Sequence, residues 1–284
     1  MRLSRRITGV TLLLLCALAL LIWSAAIQAD HRGMLSVSFL NVGQGDAIFI
    51  TAPSGRQMLI DGGPDISVLR ALSGVMPWWD RSIDVVVSTS PNKDDSTGLV
   101  DVLERFHVAS ILRSSVEGTD SFSRALADAI DAVEARGTKV TTAQRGQVVD
   151  LGSGAYLEIL SPDRNAAGVD AANGCTVARL VYGATSFLLP CDAPQGLENY
   201  LAYLDGASLH SDVLKVGNGG AKTSSSPIFV GYVSPAYAVY SRSCKNAPAS
   251  DTSATMTQFS IQTFDTCTDG TVTFVSDGDT VGED

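Results

Sequence analysis

The chain has 284 residues, 45% of them hydrophobic and 18% charged, which suits a folded body with a full core and excludes a disordered chain. The formal net charge is −10; residues 1–29 carry three Arg and no acidic residue, which leaves 17 basic and 30 acidic side chains elsewhere, a net of −13. Such a surface repels phosphate backbones, so broad nucleic-acid binding is disfavoured, while a local basic groove remains compatible with it.

Arg2, Arg5 and Arg6 precede an apolar run from Ile7 to Ile27. A run of that length can span a bilayer, and the flanking arginines would keep the N-terminus in the cytoplasm and the body outside. A cleaved signal peptide is the alternative, since Ile27-Gln28-Ala29 is a tolerable cleavage site. The run exceeds the usual ~7–15 residues of a signal core, which favours the anchor. The organisation expected is an anchor or signal over 1–29, a linker over 30–34, a folded domain over 35–276 and an acidic, frayed tail over 277–284. The body is then membrane-anchored outside the cytoplasm, or secreted. Cys16 lies within the apolar run and reads as a membrane residue.

Alternation of apolar and polar residues predicts a strand over Leu35–Asn41. A turn at Gly43-Gln44-Gly45-Asp46 leads to a strand over Ala47–Thr51, and Pro53-Ser54-Gly55 to another over Gln57–Asp61. Ile83–Ser88 reads as a buried strand. Helices are expected over Gly98–Phe106 and Phe122–Arg136, the latter with an apolar stripe of Phe122, Leu126, Ile130 and Val133. Strands follow at Gln147–Val149 and Ala155–Leu160, then an exposed loop at 163–174. A hairpin spans 176–190, with a helix at Gly196–Leu204 and a strand at Asp212–Val216. The last elements expected are a helix over Ile228–Val233, a strand over Ala238–Ser241, a helix over Met256–Phe264 and a strand over Thr271–Val275. Early hairpins followed by mixed elements point to two sheets with helices outside.

Outside the apolar run the cysteines are Cys175, Cys191, Cys244 and Cys267. An even count in an exported body suggests two disulfides, with free buried thiols as the alternative. A hairpin turn centred on Gly183 would pair Val181 with Thr185 and Cys175 with Cys191; Cys244–Cys267 follows by elimination. Trp78-Trp79 reads as a plug at a core edge, with exposed stacking on a base or partner as the alternative. Gly43-Gln44-Gly45 and Gly217–Gly220 lack the Gly-Lys-Ser/Thr ending of a phosphate loop. Ser224-Ser225-Ser226 has no base histidine placed for it and reads as a cap or turn.

Four blocks in order resemble the C-terminal metallo-β-lactamase-fold domain of the competence protein ComEC. They are Ser38-Phe39-Leu40-Asn41-Val42-Gly43-Gln44-Gly45-Asp46-Ala47-Ile48; Leu59-Ile60-Asp61-Gly62-Gly63-Pro64; Tyr182-Gly183 with Ser186-Phe187-Leu188-Leu189 and Asp192; and Asp212-Val213-Leu214-Lys215-Val216-Gly217 with Ser224-Ser225-Ser226. The resemblance runs from about residue 35 to 275. It implies an α/β fold, a metallo-β-lactamase-like αββα sandwich of two mixed sheets with outer helices. It also implies a metal-dependent hydrolase acting on DNA during uptake, and a membrane channel protein as partner.

The metal motifs depart from the family's. Its T-H-P-H-x-D-H aligns with Thr89-Ser90-Pro91-Asn92-Lys93-Asp94-Asp95, and its H-H-G-S with Asn218-Gly219-Gly220-Ala221. The later G-H-P has no counterpart near Lys245–Thr252. The bridging aspartate survives as Asp192, preceded by Cys191 where the family has Gly. The three histidines, His31, His107 and His210, sit at no motif position.

Zinc prefers imidazole and thiolate ligands, so zinc is disfavoured here. The remnant positions are Ser90, Asn92, Asp94, Asp95, Asp192 and Asn218, with Asp46, Asp61 and Lys215 supporting the pocket. Carboxylates gathered there would repel one another. A proton, a lysine among Lys93, Lys215 and Lys222, or a hard cation such as Mg²⁺ or Ca²⁺ would relieve them. The expected function is therefore a catalytically inactive ComEC-like binding or assembly module in envelope DNA uptake, without a cofactor. The alternative is a divergent phosphodiesterase or nuclease using a carboxylate-bound hard cation.

Overall fold

The computed structural model describes residues 11–23, 33–164, 166 and 168–284. A helix over 11–23 (α1) exposes most of its leucines. No helix among the described residues is long and apolar enough to cross a membrane; the ends of the Ile7–Ile27 run, the cleavage site and His31 lie outside them.

In chain order the next elements are β1 (Leu35–Phe39), β2 (Ile48–Thr51), β3 (Gln57–Ile60), α2 (Ser67–Val75), β4 (Ser82–Ser88) and α3 (Lys93–Arg105). They are followed by β5 (His107–Arg113), α4 (Ser121–Glu134), β6 (Lys139–Thr142), β7 (Val148–Gly152), β8 (Ala155–Ser161), β9 (Val177–Tyr182) and β10 (Thr185–Leu189). The last are α5 (Gln195–Asp205), β11 (Val213–Val216), α6 (Pro227–Val233), β12 (Tyr237–Tyr240), α7 (Ser250–Gln258), β13 (Gln262–Asp265), α8 (Thr266–Asp269), β14 (Val272–Ser276) and β15 (Val281–Glu283).

The strands form an eight-stranded sheet in the order β15-β14-β1-β2-β3-β4-β5-β6 and a seven-stranded sheet in the order β13-β12-β11-β10-β9-β8-β7. Both are mixed. Strand alternation sends Val37, Phe39, Ile50, Val85 and Val87 of one sheet and Leu157, Leu180, Phe187 and Val213 of the other into a shared core. The opposite faces are covered in turn. Leu59 and Val86 pack with Leu72, Leu99 and Leu126 of the helices on one side. Leu188 and Leu214 pack with Leu201, Phe229 and Met256 on the other. This is the expected αββα sandwich.

Several local readings change. The segment read as one helix over Met256–Phe264 is α7 followed by β13. Met256, Phe259 and Phe264 mimic helical spacing, but Ser260 takes φ +55° and ends the helix. Helix α3 starts at Lys93 rather than Gly98, so Lys93-Asp94-Asp95 forms its first turn. His107 opens β5. Phe122 leaves the apolar stripe and lies under the Lys93 ammonium at 4.7 Å. The tail is not frayed: β15 pairs with β14. Trp78 and Trp79 are exposed by 79% and 62% and pack edge-to-face on each other, not into a core edge.

The hairpin register is shifted by one residue. Thr185 pairs with Tyr182 across a two-residue turn, so Val181 faces Ser186. Cys175 and Cys191 lie beyond the ladder ends, where the chain can adjust, and still form a disulfide with Cα atoms 6.4 Å apart. Cys244 and Cys267 form the second, at 5.1 Å. Non-reducing mass mapping of exported protein is expected to return both linked peptide pairs. Free thiols at Cys175 and Cys191 would overturn the pairing.

Candidate functional site: a lysine within a carboxylate cluster

The site gathers where chain leaves the same end of both sheets: after β3, β4, β10 and β11, and before β2. Lys215 is placed by strand alternation. Val213 points into the inter-sheet core and Leu214 away from it, so Lys215 points inward near the end of β11. It is 1% exposed. A buried ammonium must be paired and hydrogen-bonded, or it would lose its charge.

Its partners converge on it. Lys215 Nζ forms an ion pair with Asp46 Oδ2. It donates to the Cys191 carbonyl at 2.7 Å and lies 3.4 Å from Asp192 Oδ1. Asp192 Oδ1 also accepts the Asn218 backbone N–H at 2.8 Å. Asp95 completes the group: one oxygen from each of Asp46, Asp95 and Asp192 lies within 4.8 Å of the others. Asp61 stands beside it, accepting Thr89 N–H at 2.9 Å and Thr89 Oγ1–H at 2.6 Å.

Glycines allow these loops to interlock. Gly62 N–H donates to the Asp95 carbonyl at 2.7 Å, Gly63 N–H to the Asp46 carbonyl at 2.8 Å and Gly98 N–H to the Gly63 carbonyl at 2.9 Å. Gly45 takes φ +89°, and a Cβ there would collide with the Asp94 backbone carbonyl. The motif glycines thus bring the backbones of the Asp46, Asp61 and Asp95 loops together.

Electrostatics follow from burial. Burial pushes the Asp46 carboxyl up to about 6, with Lys215 opposing and Asp192 adding to the shift. Burial pushes Asp61 up to about 8, although its two Thr89 hydrogen bonds hold it down. Asp95 is raised well above the ordinary carboxylate range, first by burial and then by Asp192, Asp46 and Asp61. Burial alone would lower Lys215, but Asp46, Asp192 and Asp95 together raise it. The Lys215 ammonium relieves part of the repulsion among them.

The remaining expected positions divide. Ser90 is buried and donates to Asp95 Oδ2 at 3.3 Å. Asn92 is exposed at the N-terminus of α3 and offers its carbonyl to Asp95 and Ser96. Asp94 lies outside the carboxylate group; the first turn of α3 directs Asp95 inward instead, and Asp46 takes the third place. Asn218 is exposed and contributes its backbone rather than its side chain, which donates to Thr223. Lys93 lies over Phe122 and Lys222 pairs with Asp251, so neither joins the cluster. Ser226 caps α6, in agreement with the turn reading.

Glu198 had no sequence signal beyond its place in an amphipathic helix. It is fully buried and clamps the Ser225 and Ser226 N–H groups at 2.6 and 2.8 Å. Burial raises its carboxyl to about 7.

The donor set does not suit zinc. Zinc chemistry wants imidazole. His107 begins β5, at the opposite end of that sheet, and His210 Nδ1 faces the Val233 carbonyl at 3.1 Å. A hard cation takes oxygen ligands and completes its shell with water; here two of the three carboxylates also pair with Lys215. Among the described residues Asp46 Oδ1 and Asp95 Oδ1 are buried without a donor.

No family model matches the chain. Over 225 residues it is 27% identical to the competence protein ComA of Neisseria gonorrhoeae, covering 78% of this chain and 29% of that protein. The chain thus spans under a third of that relative's length. Among solved structures it is similar to the metallo-β-lactamase fold protein YhfI from Bacillus subtilis (TM-score 0.54, 13% identity, 82% of this chain and 96% of that one). It is also similar to the metallo hydrolase Igni18 from Ignicoccus hospitalis (TM-score 0.54, 14% identity, 84% and 98%). At such identities these two structures speak for the fold alone.

Two outcomes are expected. Carboxyls raised in the folded state hold protons that the unfolded chain releases near 3.8 for Asp and 4.5 for Glu, so each contributes less stability as pH rises. Asp46, Glu198 and Asp61 place this loss between about pH 4 and 8. Chemical denaturation should show lower stability at pH 8 than at pH 5, with Asp61→Asn flattening the profile; stability rising over that window would contradict the assignment. Gly45→Ala should cost about 3 kcal/mol, against about 1 kcal/mol for Gly43→Ala. Gly43 shares a positive φ but has open space around it. Equal losses in thermal or urea melts would refute the interlock.

Proposed function

We infer that this chain, a ComEC-type metallo-β-lactamase-fold domain, works without hydrolysis as a binding or assembly module in envelope DNA uptake. The observation that carries this reading is the donor set: Ser90, Asn92, Asp95 and Asn218 stand where the resemblance places histidines, around a buried Lys215 ammonium paired with Asp46 and Asp192. Metal-dependent hydrolysis needs a Lewis acid that lowers the pKa of bound water and polarises the substrate. Serine and asparagine oxygens are weak substitutes for the imidazoles that hold such an ion. The Lys215 charge answers these carboxylates as a structural ion-pair network.

Two disulfides support a body held in an oxidising space outside the cytoplasm. The apolar N-terminal run supports tethering to the membrane or export through it. A membrane channel protein of DNA uptake is the partner class that the family suggests.

The reading is tested on purified full-length chain. Elemental analysis after exposure to Mg²⁺, Mn²⁺ and Zn²⁺ should find no stoichiometric metal. Single- and double-stranded DNA should survive incubation with each ion. Stoichiometric metal, with DNA cleavage abolished by Asp95→Ala or Asp192→Ala, would establish instead a hydrolase using a carboxylate-bound hard cation.

A further inference from the structure

A cavity of about 580 Å³ opens beside the carboxyl ends of β4, β5 and β6, where Ser88, Arg113 and Thr142 face α4. Crevices at the carboxyl ends of parallel strands are the usual ligand positions of open α/β sheets. The volume falls within the range of about 300–1,000 Å³ that holds small molecules.

Its charge runs against that of the chain. Three guanidinium groups, Arg113, Arg124 and Arg164, line it, with Glu117 as the single carboxylate. This is a local excess of positive charge on a protein of net charge −10. Arg113 is half-buried, and its guanidinium makes no hydrogen bond or ion pair among the described residues. Other half-buried arginines are engaged: Arg145 with Asp205, Arg242 with Asp265 and Arg179 with Ser186. A planar guanidinium partly withdrawn from water suits a bidentate oxyanion. Leu126 and Ile130 of α4 supply an apolar wall beside it, against which a flat, uncharged body can pack.

We propose that this cavity binds a phosphate-bearing ligand of nucleotide size, its phosphate on Arg113 and flanked by Arg124 and Arg164. The ligand is either a free nucleotide or the terminal nucleotide of a strand. This goes beyond the non-hydrolytic reading and does not depend on it, because no member of the carboxylate cluster lines the cavity. Binding confined to one terminal phosphate is also compatible with an acidic surface that disfavours contact along a whole strand.

The test is calorimetric titration of the full-length chain with deoxyadenosine monophosphate and with inorganic phosphate. Short oligonucleotides bearing a 5′-phosphate or a 5′-hydroxyl are compared alongside. The nucleotide should saturate one site and bind more tightly than phosphate. Arg113→Glu should weaken it by about tenfold or more, and Arg164→Glu by a smaller factor, with unchanged melting. Preference for the phosphorylated oligonucleotide identifies a strand end; binding of the mononucleotide alone identifies a free nucleotide. If Arg113→Glu does not fold, Arg164→Glu, on an exposed side chain, carries the test. No binding of either phosphorylated probe at millimolar concentration overturns the proposal, as does affinity indifferent to both substitutions. Loss of binding on chelation with EDTA would place the contact at a metal and also count against the cavity.

Discussion

The site is organised around one constraint: an ammonium on the inward face of a central strand. Lys215 is 1% exposed, and the alternation of β11 gives it no route to solvent. Leaving it unpaired would cost several kcal/mol, so carboxylates and a carbonyl must meet it there. Asp46 comes from the first sheet, while Asp192 and the Cys191 carbonyl come from the second. The ion pair therefore joins the two halves of the sandwich across their shared core.

The glycine interlock serves the same constraint. Asp46, Asp61 and Asp95 reach the cluster because their loops exchange backbone hydrogen bonds at 2.7 to 2.9 Å through Gly62, Gly63 and Gly98. A side chain on Gly62 would meet the Leu99 backbone nitrogen at 2.6 Å. Raised carboxyls are tolerated here because the frame leaves the groups nowhere else to go. The cluster thus costs stability as its protons are lost, an expense that the surrounding apolar core offsets.

Much of this was legible in the sequence. The turn at Gly43-Gln44-Gly45-Asp46 was readable from its residues, and the resemblance placed Asp46, Asp61 and Lys215 at the pocket. The sandwich followed from the order of elements and the four motif blocks. What escaped was the direction of individual side chains. The first turn of α3 sends Asp95 inward and leaves Asp94 outside, a choice fixed by where the helix begins and not by composition. The hairpin slipped by one residue because a turn centred on Gly183 and a two-residue turn are equally compatible with Tyr182-Gly183-Ala184. Glu198 was hidden because a buried carboxylate that caps a distant loop looks like any helical glutamate.

The loops where the resemblance places metal ligands carry no imidazole in this chain. Cys191 stands where the resemblance places a glycine and takes φ +48°, a conformation that costs a side chain about 1 kcal/mol or more. The bond to Cys175 holds it there, and its carbonyl is then aimed at Lys215. Asn218, where the resemblance places a histidine, also has φ +48°, which asparagine tolerates, and so delivers its N–H to Asp192. Each residue gives a main-chain hydrogen bond to the lysine or to its aspartate partner. Both loops thereby serve the position of Lys215 near the end of β11, where its pair with Asp46 joins the two sheets.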